Sequence, residues 1–425
     1  MRFLRKTSFL GFAAFILLAE LGCGDQYRPV ANPIISGGGQ PTSTHYAYVV
    51  NFNGGGPGST TQIDVSGDTN VGVNTMGVGS VSEAFPPNSD ELFIANSGND
   101  SVSEYLPILA GAVTTIALLP GSNPVFVSSA QAGSMYVVNS GTNSACPNTG
   151  SVSTIPTATL SVTSTVCVGV NPSSMVQVPT GNFANFIYVL NQGNSSNPAS
   201  VSVYNPSGGG VSSTITSTNG LGANPVSLTA STDGNWVFVV TQGSAGSPGA
   251  LDIIAAGSGT VGASVPLGML PTFSVIDPVL NRLYVTNNGD NTVSVFDATN
   301  VNLTASPAMP TLATVTVGTG PIGVTALADG TKFYVANAGS DNVTVVSASS
   351  YSVLGTVALA PGADPVWIAS DPTASRVYVA NKGTTNTTII QTSNNTVTLS
   401  IPAPPQVAGC TVSCGLQQPV MIVTQ

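Results

Sequence analysis

The sequence predicts an all-β fold built from one four-stranded unit that recurs eight times. A short apolar segment ending in Asn, or once in Thr, returns at steps of 45, 43, 52, 50, 46, 50 and 44 residues. Val, Thr and Tyr favour strands, and no sustained 3.6-residue apolar period indicates helices after the N-terminal segment. Four short antiparallel strands in each repeat of this length are typical of a β-propeller blade. The recurrent segments are Tyr48–Asn51, Phe93–Asn96, Tyr136–Asn139, Tyr188–Asn191, Phe238–Thr241, Tyr284–Asn287, Tyr334–Asn337 and Tyr378–Asn381.

The unit is clearest in its sixth copy. A first strand begins at Pro271, a second ends at Asn287, a third alternates from Thr292, and a fourth follows a longer loop. In other copies Asp233-Gly234 and Asp329-Gly330 separate the first two strands, where a tight turn requires a positive φ. The sequence therefore predicts antiparallel blades joined by short turns.

These segments carry a resemblance to a known repeat. Leu283-Tyr284-Val285-Thr286-Asn287, with Val293-Ser294-Val295-Phe296-Asp297 downstream, resembles the YVTN-type β-propeller repeat of bacterial and archaeal secreted and surface proteins. The resemblance extends over residues 45–425, and Thr241 departs from the Asn that the repeat leads one to expect. It implies a propeller outside the cytoplasm, and propeller lactonases are the nearest enzymatic relatives by fold.

The two ends of the repeat region complement each other. The first copy begins directly at a second strand, His45 to Asn51, and the C-terminal segment Gln418 to Thr424 has the form of the missing first strand. We expect the C-terminal strand to close the first blade, which removes exposed sheet edges. This closure predicts eight blades, and seven is the alternative if one irregular copy is an insertion.

The N-terminus predicts export. Three basic residues precede an eleven-residue apolar stretch, Phe9 to Ala19, which is too short to span a bilayer and fits a signal peptide. A small residue directly before Cys23 resembles the lipobox of bacterial lipoproteins, although Glu20 stands where an aliphatic residue is usual. We predict lipidation at Cys23, and ordinary cleavage nearby is the alternative.

Three segments follow from this prediction. Residues 1–22 are a lipoprotein-type signal peptide, residues 23–44 are a flexible tether rich in Gly, Pro, Ser and Thr, and residues 45–425 are the propeller. We expect an outer-membrane or cell-surface lipoprotein, with a periplasmic or secreted protein as the alternative.

Charge excludes one class of partner. Only 6% of residues are charged, against about 25% in an average soluble domain, and the net charge is −10. Without residues 1–22 there are 17 acidic and 5 basic residues. Because no basic patch can neutralise phosphates, we expect no nucleic-acid partner.

Four further cysteines predict disulfides. Their number is even and the expected compartment is oxidising, so we predict the pairs Cys146–Cys167 and Cys410–Cys414. A metal site built from cysteines alone is the alternative, but the two pairs lie far apart and neither has CxxC spacing.

The innermost strands are expected to line a central channel, where propellers usually bind ligands. Glu83 is the one charged residue in the predicted inner strands, so the lining is poorly suited to acid–base chemistry. The expected apolar lining is Phe126, Met175, Leu228, Phe273, Val324, Trp367 and Met421. Polar residues before the prolines form a candidate ligand-binding ring together with Glu83, although each is also the type that caps its own turn. The ring comprises Asn123, Asn171, Asn224, Asp364 and Gln418.

The inventory favours binding over catalysis. His45 is the one histidine, no GxSxG motif is present, and clustered carboxylates are scarce. Oxygen-rich turns such as 287–291 suit Ca²⁺, but tight turns need the same residues, so we expect no cofactor. The sequence predicts a monomeric, non-catalytic scaffold that binds protein or extracellular polysaccharide. The alternatives are a lactonase-like or other hydrolase at the channel mouth and a purely structural surface protein.

Overall fold

The computed structural model describes residues 45–53, 56–86, 89–107, 111–131, 133–373, 375–404 and 417–424. Within them, 32 strands form eight four-stranded antiparallel sheets. Blade 1 contains β1 (Tyr46–Phe52), β2 (Pro57–Asp64), β3 (Thr69–Val78) and the C-terminal β32 (Gln418–Thr424). Blade 2 contains β4 (Ser80–Ala84), β5 (Leu92–Asn96), β6 (Ser101–Leu106) and β7 (Ala112–Ala117).

The remaining blades follow the chain without a crossover. Blade 3 contains β8 (Pro124–Gln131), β9 (Ser134–Asn139), β10 (Ser151–Pro156) and β11 (Ser164–Cys167). Blade 4 contains β12 (Pro172–Gln177), β13 (Ile187–Asn191), β14 (Ser200–Asn205) and β15 (Gly210–Ile215). Blade 5 contains β16 (Pro225–Ala230), β17 (Trp236–Thr241), β18 (Ala250–Ala255) and β19 (Ala263–Pro266).

Blades 6 to 8 are the most regular copies. Blade 6 contains β20 (Pro271–Asp277), β21 (Arg282–Asn287), β22 (Thr292–Asp297) and β23 (Thr311–Thr316). Blade 7 contains β24 (Pro321–Ala326), β25 (Lys332–Asn337), β26 (Asn342–Ser347) and β27 (Val353–Ala358). Blade 8 contains β28 (Pro365–Ser370), β29 (Arg376–Asn381), β30 (Asn386–Gln391) and β31 (Thr396–Pro402).

Helix is scarce, as expected. The described part of the chain has three short 3-10 helices and no α-helix, and none of its helices has the length and apolarity needed to cross a membrane. The 3-10 helices are Ser97–Asn99, Pro206–Gly208 and Ser217–Asn219.

The C-terminal strand closes the ring. β32 pairs antiparallel with β1 from Thr424 opposite Ala47 to Gln418 opposite Phe52. Contacts between successive inner strands continue around the ring and return through β32 to β4. The prediction of eight blades closed by the C-terminal strand is confirmed. The signal peptide 1–22, Cys23, the tether 23–44 and the Cys410–Cys414 pair lie outside the described residues.

The core lies between neighbouring blades. The recurrent Tyr side chains are buried there, and some hydroxyls reach the next blade. The Tyr188 hydroxyl accepts from the Gly257 backbone N–H at 2.8 Å, and the Tyr334 hydroxyl lies 2.6 Å from Asn395 Oδ1. The recurrent Tyr therefore packs between neighbouring sheets.

The recurrent Asn fixes the loop that leads into the inner strand in blades 4 and 6, where its Oδ1 accepts from Gly169 and Gly268. In blade 6, Asn287 Nδ2 donates to Thr292 Oγ1 at 3.0 Å and to Ser294 Oγ at 2.9 Å. Its Oδ1 accepts from the backbone N–H of Gly268, three residues before the inner strand, at 3.2 Å. Because the amide is buried, these bonds satisfy groups that water cannot reach.

Blade 5 meets the same requirement with different residues. Thr241 replaces the Asn, and Asp252 occupies the third-strand position that Ser294 occupies in blade 6. Asp252 Oδ2 accepts from the backbone N–H of Gly222 at 2.7 Å, which is the bond that Asn287 makes in blade 6. The carboxylate on one strand therefore compensates for the missing amide on its neighbour.

Candidate functional site

The ring has two faces that differ in their loops. We call upper the face where the inner strands begin and where the second and third strands of each blade connect. We call lower the face where the first and second strands connect. The residues proposed from sequence as a ring, Gln418 included, lie at the upper starts of the inner strands.

A bulge follows the Pro, or in blade 2 the Ser, that lies opposite the recurrent Asn or Thr in every inner strand. Pro271 lies opposite Asn287, but Phe273 rather than Thr272 lies opposite Thr286. The skipped residue has no cross-strand partner. Proline is tolerated at the position before it, because a residue next to a bulge need not donate an N–H to the ladder. This bulge decides which side chains face the channel.

The skipped residues lie near the upper ends of the eight inner strands, so they ring the axis, and we call the space inside this ring the cup. All eight are partly exposed, while most of their neighbours on the inner strands are buried between blades. Six are β-branched aliphatic residues and two carry hydroxyls. They are Val81, Val125, Ser173, Val226, Thr272, Ile322, Val366 and Val420.

Aromatic side chains close the floor of the cup. The Phe273 and Trp367 rings meet edge to face with centroids 5.9 Å apart, although they belong to blades 6 and 8. Gly323 occupies the equivalent position in the intervening blade, opposite Ala336. Trp367 Nε1 donates to the carbonyl oxygen of Ile422 in blade 1 at 3.1 Å. Trp367 also contacts core clusters of three different blade pairs, which requires it to lie near the axis.

Of the predicted channel lining, Trp367 is partly exposed. Phe126, Phe273 and Met421 directly follow skipped residues, as Trp367 does, but they are buried in core clusters between blades. Met175, Leu228 and Val324, one position further, are buried in core clusters between blades. Sequence reasoning missed this because the bulge shifts the alternation by one residue.

Glu83 does not line the channel. It is 0% exposed and lies opposite Ile94 in blade 2, with its carboxylate toward blade 1. Thr60 Oγ1 of blade 1 donates to its Oε2 at 3.3 Å. A ligand in the cup therefore has no contact with this carboxylate.

The proposed polar residues form the rim of the cup, and a backbone requirement explains most of them. Asn123, Asn171, Asn224 and Asp364 have φ between 45° and 53°, the left-handed region that Asn and Asp tolerate best. Leu270 and Gly320 adopt the same region at φ of 46° and 64°, whereas Gln418 belongs to β32. Asn123 Nδ2 donates to Ser140 Oγ and Asn224 Nδ2 to the Gly243 carbonyl, each at 2.7 Å.

Upper-face carboxylates are turned toward backbone N–H groups. Asp100 accepts from Gly121 at 2.7 Å and Asn123 at 2.6 Å, and Asp341 accepts from Asp364 at 3.0 Å and Gly362 at 2.8 Å. Bonds from the Asp364 and Gly362 amides hold the pKa of Asp341 below its usual range. These carboxylates fasten one blade to the start of the next.

A disulfide was also predicted from the cysteines, with a metal site as the alternative. Among the described residues, no three His, Cys, Asp or Glu side chains come together as metal ligands. The predicted disulfide Cys146–Cys167 is present and ties the loop after β9 to β11 in blade 3.

Two kinds of comparison place the chain among known proteins. A family model described as a lactonase with a seven-bladed β-propeller matches residues 263–410, about a third of the chain. No curated protein matches the sequence significantly. The match covers the regular blades, and the chain has eight blades rather than the seven in that description.

Solved structures resemble the chain over most of its length. The periplasmic gluconolactonase PpgL of Pseudomonas aeruginosa is 16% identical with a TM-score of 0.54, covering 90% of this chain and 99% of its own. Apo AztD of Citrobacter koseri is 12% identical with a TM-score of 0.58, covering 91% and 98%. The dihydro-heme d1 dehydrogenase NirN is 12% identical with a TM-score of 0.65, covering 93% and 79%. At these identities the likeness extends to the fold alone, and the chain is an eight-bladed β-propeller.

Proposed function

We propose that this protein is a non-catalytic propeller that binds a neutral glycan in the upper-face cup. The observation that carries the proposal is the cup itself: a floor containing the partly exposed Trp367, an aliphatic wall and a rim of amides. Aromatic and aliphatic surface suits the C–H face of a sugar ring, and a few polar groups at the margin orient such ligands.

Charge supports a neutral ligand. The upper-face carboxylates Asp100, Asp290 and Asp341 accept from backbone N–H groups, so they serve the loops. Asp364 and Lys382 put one charge of each sign on exposed rim positions. The described residues offer an ion no cluster of opposite charge at the cup, whereas hydroxyl groups can bond to the exposed amides.

The experiment is calorimetric titration of the protein with neutral oligosaccharide fragments of cell-wall and extracellular polysaccharides. We expect saturable binding that weakens at least about tenfold in an Asn123→Ala/Asn224→Ala double variant, since each lost hydrogen bond is worth about 1 kcal/mol. The matched control is Asn394→Ala, at an exposed turn of blade 8 on the lower face. Binding of a folded protein partner but of no glycan would overturn the ligand class.

A lactonase is the second candidate, because the family match covers residues 263–410 and PpgL shares the fold. Hydrolysis of gluconolactone by the protein above the spontaneous rate would distinguish a lactonase from a non-catalytic binder. The absence of a carboxylate or histidine among the eight described wall residues favours binding instead.

We also propose that the propeller acts outside the cytoplasm, anchored by a lipid on Cys23. The basic and apolar N-terminus supports this, as does the Cys146–Cys167 disulfide, which suits an oxidising compartment. Mass spectrometry of the purified N-terminal peptide tests it. An unmodified Cys23, or a mature N-terminus beyond it, would contradict the anchor.

A further inference from the structure

Blade 2 contains a buried carboxyl where other blades are apolar. Glu83 lies opposite Ile94, and each equivalent inner-strand residue lies opposite a Val two residues before the recurrent Asn or Thr. Except for Ser274, these equivalents are aliphatic or Met: Val127, Met175, Leu228, Val324, Ile368 and Ile422. A carboxyl at this position is costly unless the fold uses it.

The surroundings of Glu83 belong to the closing blade. Its Oε2 accepts from Thr60 at 3.3 Å, while Oε1 is buried and has no hydrogen-bond partner among the described residues. Burial raises the pKa of Glu83 well above its usual range, and the Thr60 hydroxyl and the nearby backbone of Val423 and Val50 oppose this only in part. Val50 and Val423 lie on β1 and β32, the two strands whose pairing closes the ring.

The titratable groups near Glu83 do not stabilise its charge. Tyr48, on β1, has an unpaired buried hydroxyl, and its pKa is raised by burial and further by Tyr105, Tyr46, Asp90 and Glu83 itself. Thr60 is the polar neighbour from β2, and β5 presents Ile94. No Lys, Arg or His of the described chain acts on the Glu83 carboxyl. The interface therefore favours a neutral, protonated carboxyl.

We propose that Glu83 makes closure of the ring depend on a bound proton. The protonated carboxyl packs between blades 2 and 1 against both strands of the closing pair. Its ionisation leaves a buried, unpaired charge beside β32 and favours release of that strand. The sign follows from a pKa that is higher in the folded protein: stability of the closure is complete below the ordinary pKa of Glu and falls as pH rises through the folded value.

Hydrogen–deuterium exchange of the full-length protein from pH 5 to 9 tests the proposal, with rates corrected for intrinsic exchange. We expect protection of the peptide 418–424 to fall by up to about tenfold per pH unit above the folded pKa, while the inner strand β24 keeps its protection. Glu83→Gln should remove this pH dependence. Glu83→Met, which copies Met175, should remove it as well and serves if the Gln variant folds poorly.

The matched control is Glu104→Gln. Glu104 is buried in the same blade but lies opposite Phe93, whose side chain packs toward blade 3. This variant should leave the pH dependence of peptide 418–424 unchanged. The proposal is overturned if both Glu83 variants keep the pH dependence, or if all inner strands lose protection together. The proposal for Glu83 does not depend on glycan binding, because Glu83 lies toward the lower end of β4 and the proposed glycan site lies at the upper ends of the inner strands.

Discussion

The upper and lower faces use their charged residues differently. On the upper face Asp341 accepts from the backbone N–H groups of Gly362 and Asp364, and on the lower face Arg376 Nε lies 2.9 Å from Asp68. Both arrangements join neighbouring blades. Backbone donors satisfy a carboxylate without placing a cation beside it, so the upper face stays suited to a neutral ligand while ion pairs gather on the lower face.

The largest effect on stability is expected in blade 5. Asp252→Ser should cost about 1–3 kcal/mol of unfolding free energy, because the half-buried Gly222 N–H loses its acceptor and Ser264 loses a 2.5 Å bond. Adding Thr241→Asn should restore much of the loss, since the double variant has the residues of blade 6. Denaturant unfolding of the single and double variants measures the coupling.

Thr241→Asn alone is the control for this cycle. We expect it to be destabilising or neutral beside Asp252, because the amide and the carboxylate then compete for the same N–H. Additive effects of the two substitutions would contradict the compensation inferred for blade 5.

A smaller effect is expected at the ring closure on the lower face. Arg376→Met should cost about 1 kcal/mol, and the cost should shrink in high salt, since the pair with Asp68 is partly buried and joins blades 8 and 1. Arg282→Met removes a similar pair, with Asp297 of the same blade, and is the matched control. Exchange of peptide 418–424 should increase in Arg376→Met alone. Equal increases in both variants would show that the pair has no special role in closure.

The smallest effect is a pH dependence on the upper face. Because the pKa of Asp341 is lowered, its stabilisation is present above the ordinary Asp value of about 3.9 and is lost as pH falls through the folded value. Asp341→Asn should therefore lower the melting temperature at pH 7, and the wild-type and variant curves should converge as pH falls through the folded pKa of Asp341. Parallel curves over this range would contradict the assignment.

The fold was predictable because it depends on spacing. The recurrent segment, the Pro-initiated strands and the incomplete first copy give eight blades and the closure by β32 without three-dimensional information. The site was predictable only in part. The rim residues follow from the residues before the prolines, and Trp367 was expected in the apolar lining of the channel, whereas most of that predicted lining is buried between blades.

Cross-strand register explains what sequence reasoning missed. The bulge near the start of each inner strand, after Ser80 in blade 2 and after Pro124 in blade 3, turns Glu83 toward blade 1 and leaves Val125 partly exposed. Blade 5 has Thr241 where the other blades have Asn, and this difference is explained only when Asp252 is known to lie on the adjacent strand. A linear pattern contains no signal for either relation, because both depend on which strands pair and where one residue is skipped.

The most direct test of the central claim is the fluorescence of Trp367. The chain has two tryptophans, and Trp236 lies at the lower end of blade 5, so a Trp236→Phe variant reports on the cup alone. Titration with a neutral oligosaccharide that binds in calorimetry should shift the emission to shorter wavelength and protect it from acrylamide quenching, with a matching affinity. Unchanged emission and quenching at saturation would place the ligand elsewhere and contradict the cup as the binding site.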